Sequence, residues 1–267
     1  MTLQDYLNRY NLTHDVTAST AEHYKWVVRS FERLAGPVEL DSLSGDDVSR
    51  WLGHLKEIGR SPFTIKQRRI SLLVIWRSAW EDGLAPPLQP VKRLKPLQHD
   101  PQAWTVDEVR QLLAAAESTS RPLFWCSLVR AGYDTGLRLG NLLALRIEQV
   151  AAIVKLRQVK VGSPISVQLR PETLESIRQQ ATGRDAADLV WPLWGRREAF
   201  YRAFRRLVAS SGIRRGTFRW LRRTAATQVE TVQAGAGTAL LGHTSRSTTE
   251  QWYLDRSQLS HPPLPPW

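Results

Sequence analysis

Residues 134–143 read Asp-Thr-Gly-Leu-Arg-Leu-Gly-Asn-Leu-Leu, and the second half of the chain is best read outward from them. Upstream, Leu123 to Tyr133 is a largely apolar run expected to be helical. Gly136 marks a turn. A second helical run, Leu139 to Leu145, follows, so Arg138 stands just after the turn, near a helix start and in an apolar neighbourhood. Before this region, Thr105-Val-Asp-Glu108 forms a capping box leading into Val109, Leu112 and Leu113. After it come two short β-like runs, Ala152–Lys160 and Ile165–Leu169. Gly162-Ser163-Pro164 between them predicts a hairpin. Pro171 opens the next helix, and further helices are expected over Glu198–Ser210, Thr217–Glu230, Gly237–Leu241 and Ser247–Leu254.

The first 83 residues carry helical patterns and almost no strand signal. Thr2 caps a segment through Tyr10, and Ser19–Ala35 places Tyr24, Val27, Val28, Phe31 and Leu34 at helical spacing. Ser44 with Asp47 resembles a capping box ahead of Val48, Trp51, Leu52 and Leu55. Ser61-Pro62 starts a long helix through Ile65, Ile70, Leu73, Val74, Trp76 and Ala79 to a stop at Gly83. Residues 84–103 then hold Pro86, Pro87, Pro90, Pro96 and Pro101 among Lys92, Arg93 and Lys95, a composition that prevents continuous helix. The expected organisation is a helical domain over 1–85, a proline-rich basic linker over 86–103 and a second domain over 104–267. The fold class is mainly α with a small β-hairpin (α+β). No internal repeat or low-complexity tract is present.

Composition narrows the function. The 267 residues suffice for a sizeable core, and 42% apolar with 23% charged residues argues against disorder. No apolar stretch approaches the roughly 18 residues of a membrane helix, and the start MTLQDYLNRY lacks the pattern of a signal peptide. The single cysteine, Cys126, excludes an internal disulfide or a cysteine-cluster zinc site and fits a reducing cytoplasm. The net charge is +12. Residues 1–98 hold 14 bases and 11 acids, and residues 99–267 hold 23 and 14. Eleven arginines fall between Arg184 and Arg223, inclusive, against three acids. A chain this basic is suited to a polyanion, nucleic acid foremost.

Four clusters carry chemistry: Arg138 after Gly136; Lys160 with Gly162 at the hairpin; Phe218-Arg219-Trp-Leu-Arg222-Arg223-Thr; and Leu241-Gly-His243 through Tyr253. In this order and at these separations they resemble the tyrosine recombinase family, also called phage-type integrases. The resemblance covers residues 104–254, and the helical first part looks like that family's DNA-gripping core-binding domain. Cutting a phosphodiester in this way needs a nucleophile, charge stabilisation on the non-bridging oxygens and an acid for the leaving oxygen. Arginine forks donate paired hydrogen bonds to phosphate oxygens. The resemblance implies Tyr253 as nucleophile, Arg138 and Arg222 on the phosphate, Lys160 as acid and His243 as a further donor. It implies no cofactor and no metal. Lys155, in the same hairpin, is the alternative to Lys160.

Three positions depart from the family pattern. Asn141 stands where an acidic residue often follows the first arginine by three. Arg219 replaces a histidine three before the second arginine, and it cannot accept a proton at accessible pH. It remains able to donate to the phosphate or to lower the tyrosine pKa by its charge. Tyr253 lies ten residues after His243, one more than the commonest spacing, with Trp252 in the ninth position.

Beyond these clusters, Lys66, Arg68, Arg69 and Arg77 on one long helix are candidate DNA contacts, as is Arg223. Trp51, Trp76 and Trp80 are expected in the core. The tail from His261 to Trp267 is proline-rich, and docking on a neighbouring subunit stands beside simple disorder. The expected protein is a site-specific recombinase acting on double-stranded DNA as a homotetramer on two sites, cytoplasmic and nucleoid-associated. A type IB topoisomerase-like enzyme, a catalytically degenerate DNA-binding protein of the same fold and a plain nucleic-acid-binding helical module are the alternatives.

Overall fold

A computed structural model describes residues 1–91, 100–159, 162–193 and 195–259. The chain divides into two compact units, Met1–Gln98 and His99–Trp267. Lys92, Arg93, Lys95, Lys160 and the tail from His261 lie outside the described residues. None of the described helices is long and apolar enough to cross a membrane.

The first unit holds α1 (Leu3–Thr13), α2 (Ala18–Ala35), α3 (Gly45–Glu57) and α4 (Pro62–Glu81). Each begins where a hydroxyl satisfies an orphan backbone donor: Thr2, Thr17, Ser44 and Ser61 accept from the third residue of their helices. Only Thr2 completes a reciprocal box, with Asp5. At Ser44 the Asp47 carboxylate takes the serine hydroxyl instead, at 2.6 Å. Leu3, Leu7, Val27, Val28, Phe31, Trp51, Ile65, Leu72, Ile75 and Trp76 form the core. Tyr6 ties α1 to α4 by donating to Ser78 and Asp82.

Two expectations change here. Trp80 is 45% exposed, outside the core that takes Trp51 and Trp76. Ile70 and Val74 are also exposed, while Arg68 and Ser71 lie on the buried side of α4. Apolar residues surround this helix on every side, so their spacing does not phase it.

The second unit contains α5 (Val106–Glu117), α6 (Pro122–Thr135), α7 (Leu139–Leu142), β1 (Ile153–Arg157), β2 (Pro164–Gln168), α8 (Pro171–Ala181), α9 (Arg197–Ser210), α10 (Arg219–Val232), α11 (Ala236–Leu241) and α12 (Arg246–Trp252). Helix α6 packs against α5, α8 and α10. Its core includes Trp104, Leu128, Trp191, Phe200, Phe204 and Leu221. Strands β1 and β2 pair antiparallel, Ile153 opposite Gln168 and Arg157 opposite Pro164. The run from Leu139 was expected to stay helical to Leu145 but stops at Leu142. Leu145 instead gives its carbonyl to the Val190 N–H, and Arg146 bridges Leu189.

Thr105 and Glu108 form the reciprocal box that starts α5. Glu108 also holds Arg214 through both carboxylate oxygens, at 2.8 and 2.6 Å. The Arg214 partnership brings its pKa down to about 2. This bidentate clasp joins the start of α5 to the segment leading into α10.

Candidate active site

Two glycines with left-handed backbone set the site. Gly136, at φ +57°, closes α6, and a side chain there would meet Leu241 at 3.1 Å. Gly242, at φ +60°, closes α11, and a side chain there would meet Ile165 at 2.9 Å. The first turn delivers Arg138 and the second His243. The first turn of α10 delivers Arg219 and Arg222, and Tyr253 follows the last residue of α12.

Arg222 is the buried centre, only 2% exposed. Its guanidinium donates to the Gly136 carbonyl at 2.5 Å, to the Leu241 carbonyl at 3.1 Å and to His243 Nε2 at 3.0 Å. The two carbonyls lie at the C-terminal ends of α6 and α11, where helix dipoles place partial negative charge. They offset a buried cation that has no carboxylate partner. Burial, reinforced by Arg138, still lowers its pKa to about 10, so it stays charged at neutral pH.

Arginine can only donate, so His243 Nε2 accepts and Nδ1 carries the proton, donating to Thr249 Oγ1 at 2.9 Å. Burial, then the charges of Arg222, Arg138 and Arg219, lower the His243 pKa to about 4. The imidazole is therefore neutral at pH 7. A histidine with a depressed folded-state pKa loses stability as pH falls, because the unfolded chain takes up the proton first. Between pH 6.5 and about 4, His243→Gln should flatten the decline in urea-unfolding free energy. The difference from wild type should be on the order of 1 kcal/mol after discounting for solvent screening. Parallel declines in the two proteins would refute this coupling.

Tyr253 is buried at 7% exposure. The guanidinium carbons of Arg219 and Arg222 lie 4.8 and 5.1 Å from its ring centroid, and the His243 ring centroid lies 4.9 Å away. Burial pushes the phenol pKa up. Arg219, Arg222 and Arg138 push it down, and they prevail. Leu254 packs with Ala226 and Leu241, and Asp255 accepts from the Ala103 N–H while its own N–H donates to Thr227. On the other side the Trp252 carbonyl accepts from Arg223 and the Tyr253 N–H donates to the Thr249 carbonyl, so the tyrosine is held from both sides.

The structure brings Arg138, Arg219, Arg222, His243 and Tyr253 into mutual electrostatic reach. Among the described residues no ion pair joins Arg138, Arg219, Arg222 or His243 to a carboxylate. Arg222 Nε and Asn141 Nδ2 are buried donors with no acceptor in hydrogen-bonding geometry. A cluster with surplus cationic charge and unfilled donors suits an anion with several oxygens, as phosphate has.

Asn141 does not hold Arg138. Its carbonyl accepts from the Val159 N–H at 3.0 Å, anchoring the hairpin turn. Arg138 donates instead to Gln158 Oε1. Gln158, only 2% exposed, also reaches Ser163 Oγ at 3.3 Å. Sequence reading missed this residue and Thr249. The signal for Gln158 was alternation, since it follows the inward-facing Val154 and Leu156 at period two, one residue past the end of β1. Lys155 stands on the outer face of that strand. Arg223, expected at DNA, is half-buried and donates to the Trp252 and Gln102 carbonyls. Of the α4 basic residues, Lys66 and Arg77 are exposed, Arg69 donates to the Val91 carbonyl and Arg68 is buried.

Fold and site together define a mainly helical protein with a cationic centre built around one tyrosine. The chain belongs to the phage integrase family, whose model matches residues 102–259. It is 27% identical over 200 residues to tyrosine recombinase XerC of Alcanivorax borkumensis, covering 67% of this chain and 65% of that protein's length. The crystal structure of a dimer of a lambda integrase fragment (75–356 in its own numbering) bound to a COC′ core site is similar over 99% of both chains, at 22% identity and a TM-score of 0.80. A lambda integrase tetramer bound to a Holliday junction is similar over 96% of this chain and 78% of its own, at 21% identity and a TM-score of 0.77. These likenesses establish the fold.

Proposed function

We propose that the protein is a site-specific DNA recombinase that cuts and rejoins duplex DNA through a 3′-phosphotyrosine. The observation that carries this reading is Tyr253 beside three arginines and a neutral histidine, with the arginines prevailing over burial at its phenol. Residues 1–85 serve as the core-binding domain, 86–103 as the linker and 104–267 as the catalytic domain. The partner is double-stranded DNA, held by a homotetramer on two sites, as in the lambda integrase assembly on a Holliday junction. A cytoplasmic, nucleoid-associated location follows from that substrate.

In the proposed reaction Tyr253 Oη attacks the scissile phosphorus and gives up its proton to water, since Arg219 has no lone pair to receive it. The bond to the 5′ oxygen breaks, and Lys160 gives its proton to that departing oxygen, leaving a 5′ hydroxyl and a neutral amine. Arg138 and Arg222 stabilise the charge on the non-bridging oxygens, and Arg219 lowers the tyrosine pKa. Once a phosphate oxygen replaces His243 at Arg222, the imidazole takes its other tautomer, donating Nε2–H to the phosphate while Nδ1 accepts from the Thr249 hydroxyl. Attack by the partner strand's 5′ hydroxyl then releases Tyr253 and closes the new strand.

The test is covalent trapping on nicked duplexes tiled across DNA flanking the gene, followed by peptide mapping. A DNA adduct on the Tyr253 peptide supports the reading, and an adduct elsewhere overturns the assignment. Salt-sensitive binding without any adduct would favour a degenerate DNA-binding protein. Relaxation of supercoils without a specific site would favour a topoisomerase.

In this reaction Gln158 positions Arg138. Gln158→Leu should slow single-turnover cleavage about 10- to 100-fold, with duplex affinity unchanged. Gln158→Glu should retain most of the rate, because its carboxylate still accepts from the guanidinium. Adding Gln158→Leu to Arg138→Lys should cost little more. Full additivity in that cycle would show that Gln158 acts elsewhere.

A further inference from the structure

Helix α12 cannot hold Tyr253 in place by itself. It has seven residues, of which only Thr249 is buried, and a helix that short is marginal in water without tertiary support. Burial resumes after it, at Tyr253, Leu254 and Asp255. Asp255 is a carboxylate at 4% exposure, where a charge is costly unless it is hydrogen-bonded. Its two oxygens divide their work. Oδ1 accepts from the Ser257 N–H at 3.1 Å and from the Ser257 hydroxyl at 2.6 Å, capping the turn Arg256–Gln258. Oδ2 accepts from the Ala103 N–H at 2.9 Å and from Gln258 Nε2 at 3.1 Å. Burial pushes the carboxyl pKa up, but these bonds prevail and bring it below its ordinary value.

The group on the far side of that contact is the peptide 102–104, near the start of the second unit. Ala103 and Trp104 are fully buried. The Ala103 carbonyl accepts from Gln258 Nε2 at 3.1 Å and from Arg214 at 2.6 Å. The Trp104 N–H donates to Thr224 Oγ1 on α10 at 3.0 Å. The Gln102 carbonyl accepts from Arg223, which also donates to the Trp252 carbonyl. This peptide therefore grips the chain on both sides of Tyr253. It reaches Trp252 through Arg223, and Asp255 and Gln258 directly. A turn cap needs only one carboxylate oxygen, and the other goes to a backbone N–H 152 residues away in sequence.

We infer that Asp255 and Gln258 are positioning residues for Tyr253: by clamping the segment after it to the peptide 102–104, they keep the phenol beside Arg219 and Arg222. The end of the proposed linker is then part of the nucleophile's seat, and displacing it withdraws the tyrosine. That Tyr253 attacks DNA rests on the recombinase reading, whereas the place of its ring does not.

The test uses the full chain, isotope-labelled at the tyrosine Cζ, with the Tyr253 NMR signal assigned through Tyr253→Phe. Asp255→Ser keeps an oxygen that caps the turn, but it is too short to bridge to Ala103. Asp255→Asn keeps an oxygen of full reach. The serine variant should raise the titration midpoint of the Tyr253 phenol toward the ordinary tyrosine range. It should also slow single-turnover cleavage by about tenfold or more, with duplex affinity within about twofold of wild type. The asparagine variant should leave the midpoint in place and cleavage within about threefold. Gln258→Leu removes a donor to the Ala103 carbonyl and should move the midpoint the same way, with cleavage about two- to fivefold slower. It decides the matter if the serine variant does not fold. A serine variant that matches wild type while the asparagine variant does not would make the carboxylate a local cap and overturn the inference. An unmoved midpoint in folded Asp255→Ser overturns it too, as does one in Gln258→Leu where the serine variant does not fold. If the wild-type protein forms no covalent adduct, the recombinase reading fails, and the phenol midpoint still tests the clamp.

Discussion

Tyr253→Phe should abolish the covalent adduct, lowering cleavage by roughly 10⁴-fold or more, while duplex affinity stays within about twofold. The substitution removes one oxygen and keeps the ring. The phenyl group retains its buried seat, its tilted contact with His243 and its place under the Arg219 and Arg222 guanidinium groups. Unfolding free energy should therefore change by no more than about 1 kcal/mol. No other tyrosine stands in for it. Tyr201 is on α9 and 45% exposed, and Tyr133 is on α6 beside Arg170. Denaturing gels with matched thermal unfolding curves decide the matter. A variant that folds, binds and still forms adduct would remove Tyr253 from the mechanism.

Much of this site was legible because its backbone is punctuated by residues with one physical use. Gly136 and Gly242 both adopt left-handed turns, and each precedes a proposed catalytic residue by one or two positions. Thr105 and Glu108 announced α5 through a reciprocal cap that the structure contains. The hairpin was readable from its Gly-Ser-Pro turn, although Pro164 proves to be the first residue of β2 rather than part of the turn. What stayed hidden depended on contacts between residues far apart in sequence. Arg223 sits next to Arg222 and looks like a phosphate ligand, but α10 aims it at the Trp252 and Gln102 carbonyls. Arg68 and Lys66 share a helix, yet two residues along an α-helix is about 200° of rotation, so one is buried and the other exposed. The substitution at Asn141 is similarly opaque in one dimension. The partner of Arg138 comes instead from the hairpin, at Gln158.

Arg222→Lys should be the most damaging conservative change in the second unit, because the arginine has two duties that lysine cannot combine. As a structural group it joins the end of α6 to the end of α11, through Gly136 and Leu241, and orients His243. As a proposed catalytic group it stabilises the pentacoordinate phosphate. Lysine has three donors on one atom, so satisfying both carbonyls draws its charge away from the phosphate. Pointing it at the phosphate leaves buried carbonyls unpaired, at about 1–3 kcal/mol each. A buried ammonium also tolerates desolvation less well than a guanidinium, and Arg138 and Arg219 add repulsion. The expected cost is about 2–4 kcal/mol in unfolding free energy. Cleavage at saturating DNA should fall about 10²- to 10³-fold, as when one preorganised donor is lost from a charge-stabilising site. Cleavage measured well below the unfolding transition separates the two effects. The lysine variant should also release His243, whose NMR-titrated pKa should rise from about 4 toward its ordinary value as the fixed charge beside it moves. A His243 titration unchanged in a folded Arg222→Lys protein would show that burial alone depresses the imidazole, and that the arginine contact does not set its protonation state.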